Sequence, residues 1–275
     1  MRRSSHGALG RVRALMAKDA AELVRHPGTL VPAFVMVIGA LVPAFLIAVI
    51  APALSGESFD DGEFADAARR AAAVIPELAA LEGRARVQAL LFHQFLLLVL
   101  LVPVVGSMSL AAHAVISEKQ SHALEPLLAT PITTGELLAA KALTPFLVSL
   151  ALLAFAMILY VGGIALTAAP GVWRALLGPR TVLLGLVGGP LISLTGLQMA
   201  VIVSSRVNDP RSAQQLGGLV VMPITIAFVA QMVGQYVWGV QPLLVALVVL
   251  AVVNVGLLWL GVRVFQRETI LMRWK

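Results

Sequence analysis

The sequence predicts an all-α membrane protein: six transmembrane helices behind an N-terminal amphipathic interfacial helix, with both termini cytoplasmic. Three observations predict it. The 275 residues are 59% hydrophobic and 12% charged, with a mean hydropathy of +0.94, whereas soluble domains carry about 25% charged residues. So much apolar surface cannot be hidden in a soluble fold of this size, so the bilayer is the solvent. Six apolar runs, approximately Gly28–Leu54, Ala89–Ile116, Ala142–Ala168, Thr181–Ser204, Leu216–Trp238 and Pro242–Val262, each exceed the roughly 20 residues a helix needs to cross the hydrocarbon. They are too long for the alternating ten-residue strands of a β-barrel.

The third observation is charge asymmetry. With an even number of spans, 14 Lys and Arg fall on the side of the termini (six of them before residue 26) and 6 on the other. The positive-inside rule makes the richer side cytoplasmic. The first outer loop also carries seven carboxylates, among them Glu57, Asp60, Asp61 and Glu63. Three segments follow: an interfacial helix at 1–27, a six-helix domain at 28–262 and a basic cytoplasmic tail at 263–275. The first span is kept as a span. Ala51-Pro52-Ala53 resembles a cleavage site, but the 27-residue run Gly28–Leu54 is far longer than the about 7–15 apolar residues of a signal peptide.

Within the first segment, Leu9, Val12, Met16, Ala20 and Leu23 recur at helical spacing, while Arg11, Arg13, Lys18 and Arg25 suit lipid headgroups. Pro27-Gly28 breaks the helix; the plainer reading is a basic flank that only sets topology. In the outer loop, 55–88, Ala-rich Glu63–Val74 predicts a helix, Pro76-Glu77 a second start and Gly83 a stop. The connection 117–141 spends 25 residues where about 2–8 suffice. It exposes Leu124, Leu127, Leu128 and Ile132, which suggests a docking surface. Thr130-Pro131 and Thr133-Thr134-Gly135-Glu136 are candidate helix starts. The fourth connection, 205–215, is short and polar, and Gly239-Val240-Gln241 is a tight hairpin.

The chemistry available is narrow. Cys is absent, which excludes thiolate metal sites, disulfides and cysteine nucleophiles. No span as delimited holds Asp, Glu, Lys or Arg in its interior, unlike ion-coupled carriers and proton relays. No phosphate-binding loop is present; Gly135–Lys141 lacks both the second glycine and the Ser/Thr after the lysine. The chain is therefore not expected to be an enzyme, and no cofactor or metal is expected. Neither protease motif, Gly-x-Ser-x-Gly or His-Glu-x-x-His, occurs. His93 and His113 are expected at the two interfaces, with Ser107, Ser109, Ser193 and Thr195 bonding their own helices. Gln94, Tyr160, Gln198, Gln231, Gln235 and Asn254 either line a weakly polar path or hydrogen-bond between helices. Pro103, Pro145, Pro190 and Pro223 are candidate kinks, and the glycines of Gly185–Gly189 a candidate close-packing site.

The stretch from Glu118 to Lys141 carries Leu124-Glu125-x-Leu127-Leu128-x-Thr130-Pro131-Ile132-x-x-x-Glu136-Leu137-Leu138. It resembles the connection between the second and third spans of ABC transporter permeases of the type-2 exporter family, with His122-Ala123 where Gly-Thr is usual. The resemblance implies a half-transporter in the plasma (inner) membrane that pairs with a second permease copy or homologue and with separate ATPase subunits, which bind the ATP. The loop would hold a coupling helix, with Glu118, Leu124, Glu125, Leu127, Leu128, Thr130, Pro131 and Glu136 contacting or supporting the ATPase. Arg206, Asp209 and Arg211 would form a second cytoplasmic contact. Membrane lipids are expected partners and nucleic acid is not. The cargo is left open among amphiphiles, lipids or polysaccharides, peptides and sodium. The competing reading is a non-transport membrane scaffold or assembly factor, which would lack an ATPase partner.

Overall fold

The computed structural model describes residues 8–25, 27–55, 62–120, 134–204, 212, 215, 218–234 and 238–264. Every regular element among them is helical. Helix α1 (Ala8–Arg25) is followed by a 3-10 turn at Pro27–Leu30, as a proline without an N–H to donate favours. The first span joins α2 (Val31–Phe45), a π-turn at Leu46–Ile50 and α3 (Ala51–Ser55).

Two short helices, α4 (Glu63–Ala72) and α5 (Pro76–Ala79), lead into the long second span. That span is α6 (Gly83–Val99) and α7 (Leu101–Gln120). Gly83 does not stop a helix but begins one: its φ of 47° turns the chain out of α5, a conformation costly for any residue with a Cβ. The break at Leu100 lies three residues before Pro103, whose missing N–H leaves the Val99 carbonyl without its helical partner.

Helix α8 (Thr134–Thr167) begins at the second of the starts read in the loop and contains Pro145. Then come α9 (Val172–Leu176), α10 (Pro179–Leu183), a π-turn at Leu184–Gly188, and α11 (Gly189–Ser204). The π-turn lies just ahead of Pro190, which cannot donate to the carbonyl of residue 186. A 3-10 turn at Gly218–Val220 precedes α12 (Val221–Gly234), and α13 (Val240–Val264) is the last helix.

Five of these helical stretches are long and apolar enough to cross a membrane, against the six expected. The segment expected at Leu216–Trp238 contains the shorter apolar helix Gly218–Val233. The second span is the axis of the bundle, with 83% of its most apolar window buried against 17% for α13. Helix α7 packs against α2, α8 and α11, and α6 packs against α2, α4, α9 and α12.

Small residues let α2 approach closely, since its buried face is Ala33, Val37, Ala40 and Ala44. Helix α13 instead turns Leu243, Leu247 and Asn254 inward and leaves Val245, Val248, Val252 and Val255 exposed, an apolar outer face suited to lipid. Gly189 carries the close approach read in Gly185–Gly189, because a Cβ there would collide with Leu153.

Helix α1 packs along α8. Its inward residues are Leu15 and Asp19 with Val12, Met16 and Leu23 half-buried, while Ala20 is exposed. The apolar stripe is thus rotated slightly from the sequence reading.

Candidate functional site

Two regions carry polar chemistry. The first is the loop 117–141. Glu118 falls in the last turn of α7 and Glu136 in the first turn of α8. Leu124, Glu125, Leu127, Leu128, Thr130 and Pro131 lie outside the described residues, as do Arg206, Asp209 and Arg211. The helices that flank the loop, α7 and α8, pack against each other.

The second region lies at the opposite end of the spans, beneath α4, α5 and α9, where six polar side chains from four helices are buried. Tyr160 on α8 is fully buried and donates its hydroxyl to the Phe92 carbonyl of α6 at 2.7 Å. Phe45, Phe92 and Tyr160 stack around this bond with ring centroids 5.4–6.0 Å apart, tying the first three spans together. Gln88 is also fully buried. Its Nε2 donates to the Ala48 carbonyl at 2.9 Å and its Oε1 accepts from the Ala169 N–H at 2.8 Å.

His93 does not sit at an interface. It is 1% exposed in the middle of α6, with Nδ1 2.9 Å from the Ala89 carbonyl; His113, towards the other end of the span, is half-buried. Beside His93, Gln94 donates to the Gln231 carbonyl at 3.5 Å. The Gln231 side-chain oxygen in turn accepts from Arg180 Nη2 at 3.2 Å and from the Trp238 N–H at 3.3 Å. Arg180 corrects the expectation of charge-free spans. The fourth span begins at Pro179, not Thr181, and takes Arg180 inside at 4% exposure. Proline favours the first helical position, and Pro179 is the signal that places the start there. His93 and Tyr160 both lie within electrostatic reach of the guanidinium.

The remaining candidates sit nearer the loop end. Asn254 Nδ2 donates to the Leu191 carbonyl at 3.1 Å and to Thr195 Oγ1 at 2.9 Å, joining α13 to α11. Gln198 is buried with its Oε1 unpartnered, as is Asn254 Oδ1. Ser107 and Thr195 bond their own helix carbonyls, but Ser193 bonds Ser149 across to α8. Gln235 lies outside the described residues. Among the described residues, no group of three or more His, Asp or Glu side chains could hold a metal ion.

A bundle of long apolar helices with a central, buried second span defines an integral, multi-pass membrane protein. A family model described as ABC-2 family transporter protein matches residues 84–241, more than half of the chain, and the chain belongs to that family. It is accordingly a permease subunit of an ABC transporter, a class that in general works with a partner ATPase. Searches of curated proteins and of solved structures found no match.

Proposed function

We propose that the chain is the membrane-spanning subunit of an ATP-driven exporter, forming a translocation path with a second permease, identical or homologous, and coupling to a separate ATPase through the loop 117–141. The observation that carries this reading is the family match over 84–241, which takes in that loop and its Leu-Glu-x-Leu-Leu-x-Thr-Pro-Ile run. On this reading the partner ATPase binds and hydrolyses the ATP, in keeping with a sequence that has no phosphate-binding loop. Closure of the ATPase pair pushes the ends of α7 and α8 together as a unit, a rigid-body coupling. Glu118, Glu125 and Glu136 with the loop leucines form the main contact, and Arg206, Asp209 and Arg211 the smaller one. Gln198 and Asn254, each with a side-chain oxygen unpartnered among the described residues, are the path residues on this reading.

Six spans and cytoplasmic termini complete the proposal. The 3-10 turn and α12 together cover about 27 Å at standard helical rises, close to the ~30 Å of hydrocarbon. Because the chain has no Cys, single cysteines report topology without background. Ser58→Cys should react with an impermeant maleimide on intact cells, and Ser121→Cys only after permeabilisation. The reverse pattern overturns the orientation. The coupling reading is tested by pull-down from native membranes in mild detergent. A companion carrying a phosphate-binding loop should co-purify and be lost with Leu127→Asp and Glu125→Arg. Its absence, where other membrane complexes survive, favours a scaffold.

A further inference from the structure

The buried network under α4 and α5 holds more donors than acceptors. Arg180 spends Nη2 on Gln231, while Nε and Nη1 have no acceptor among the described residues. Those two nitrogens carry three N–H groups. Gln231 Nε2, on a fully buried side chain, also lacks an acceptor, and the Thr181 hydroxyl beside Arg180 has no partner. The neighbouring side chains spend donors on backbone carbonyls, His93 Nδ1 on Ala89, the Tyr160 hydroxyl on Phe92 and Gln94 Nε2 on Gln231, and none of their acceptor atoms bonds Arg180 Nε or Nη1. Glu77 lies against Gly178, but it forms no ion pair with Arg180.

An arginine side chain does not give up its proton in a protein. Buried among apolar helices with one neutral acceptor, its charge needs a counter-charge that the described chain does not provide. An acceptor that meets donors from Arg180, Gln231 and Thr181 together must offer several oxygens, as phosphate and carboxylate groups do. We propose that Arg180, Gln231 and Thr181 form a binding site for an oxyanion, either free or as the headgroup of a membrane amphiphile. The site goes beyond the export reading and does not depend on it, since binding is read without an ATPase.

Thermal melting of the purified chain in neutral detergent tests it. Inorganic phosphate is compared with chloride at equal ionic strength, and phosphatidylglycerol micelles with diacylglycerol micelles. The wild type should gain about 4 °C over the matched control in at least one arm, the size expected for a ligand well above its Kd. Gain with phosphate identifies a free anion; gain only with phosphatidylglycerol identifies a headgroup. Arg180→Met, which removes the charge and keeps the bulk, should abolish the gain, and Arg180→Lys should keep part of it. If Arg180→Met does not fold, Gln231→Leu must reduce the gain. Equal gains with chloride, no gain in either arm, or an undiminished gain in the variants overturns the proposal and leaves water as the partner of Arg180.

Discussion

Tyr160 and Phe92 are joined by a hydrogen bond from a phenol to a carbonyl in the middle of another helix. With Phe45 packed edge-on to Tyr160, the pair fixes how the second and third spans rotate against the first. Tyr160→Phe keeps the ring contacts and loses the bond, so it should cost about 0.5–1.5 kcal/mol. Tyr160→Ala also empties the ring's volume and should cost about 3–5 kcal/mol. Reversible unfolding in mixed micelles measures both; equal costs for the two variants would mean that the bond rather than the packing dominates.

Gly196 lets α11 lie close against α7. A Cβ there would lie 2.9 Å from Ser107 Oγ and 3.0 Å from the Val104 carbonyl. The carbonyl belongs to helix backbone and cannot swing aside. Gly196→Ala should therefore destabilise the bundle by about 1–3 kcal/mol, even though alanine is the better helix former. Gly162→Ala, where a Cβ meets nothing, is the control that should be neutral or stabilising.

Gln88 satisfies two backbone groups 40 and 81 residues away in the chain. Gln88→Leu preserves bulk but strands the Ala169 N–H, a part-buried donor. The expected cost is about 1–3 kcal/mol, and hydrogen exchange at Ala169 should quicken while that of α11 is unchanged.

Outside the spans, Arg69 lies 2.5 Å from Asp66 and its hydrogen bond and charge hold the Asp66 carboxyl below its ordinary value. A lowered carboxyl favours the folded state above the ordinary carboxylate range and loses that advantage as pH falls through the lowered value. Both side chains are more than half exposed, so the effect is small. Any excess in melting temperature of wild type over Asp66→Asn at neutral pH should close on acidification below about pH 4.

Helix positions were largely legible because hydrophobic length and proline and glycine signals are local: α1, α4, α5 and the first, third and last spans follow them closely. What hydropathy hid was polarity paired at long range. Arg180 sits at the head of an apolar run, so a boundary drawn on hydropathy leaves it outside, although the Gly178-Pro179 pair marks an earlier start. His93 looks like an interfacial residue because nothing local reveals that α6 is surrounded on all sides. Gln88 was missed because both of its partners are backbone groups, which leave no trace in side-chain pattern. The loop 117–141 suggested a docking surface by its length and its leucines and a coupling role only by resemblance, and its central residues, Leu124 to Pro131, lie outside the described residues.

The π-turn at Leu184–Gly188 has a consequence for how the fourth span tolerates change in length. Such a turn holds one surplus residue relative to a regular helix. Deleting one residue from Leu184–Gly188 relaxes it to ordinary α-helix while Arg180 and Gly196 both keep their partners. The same deletion three turns later, inside Gly189–Ser204, rotates all that follows by about 100° and turns Gln198 out of the bundle. The span therefore carries a built-in slack of one residue, placed between its charged end and its tightly packed end.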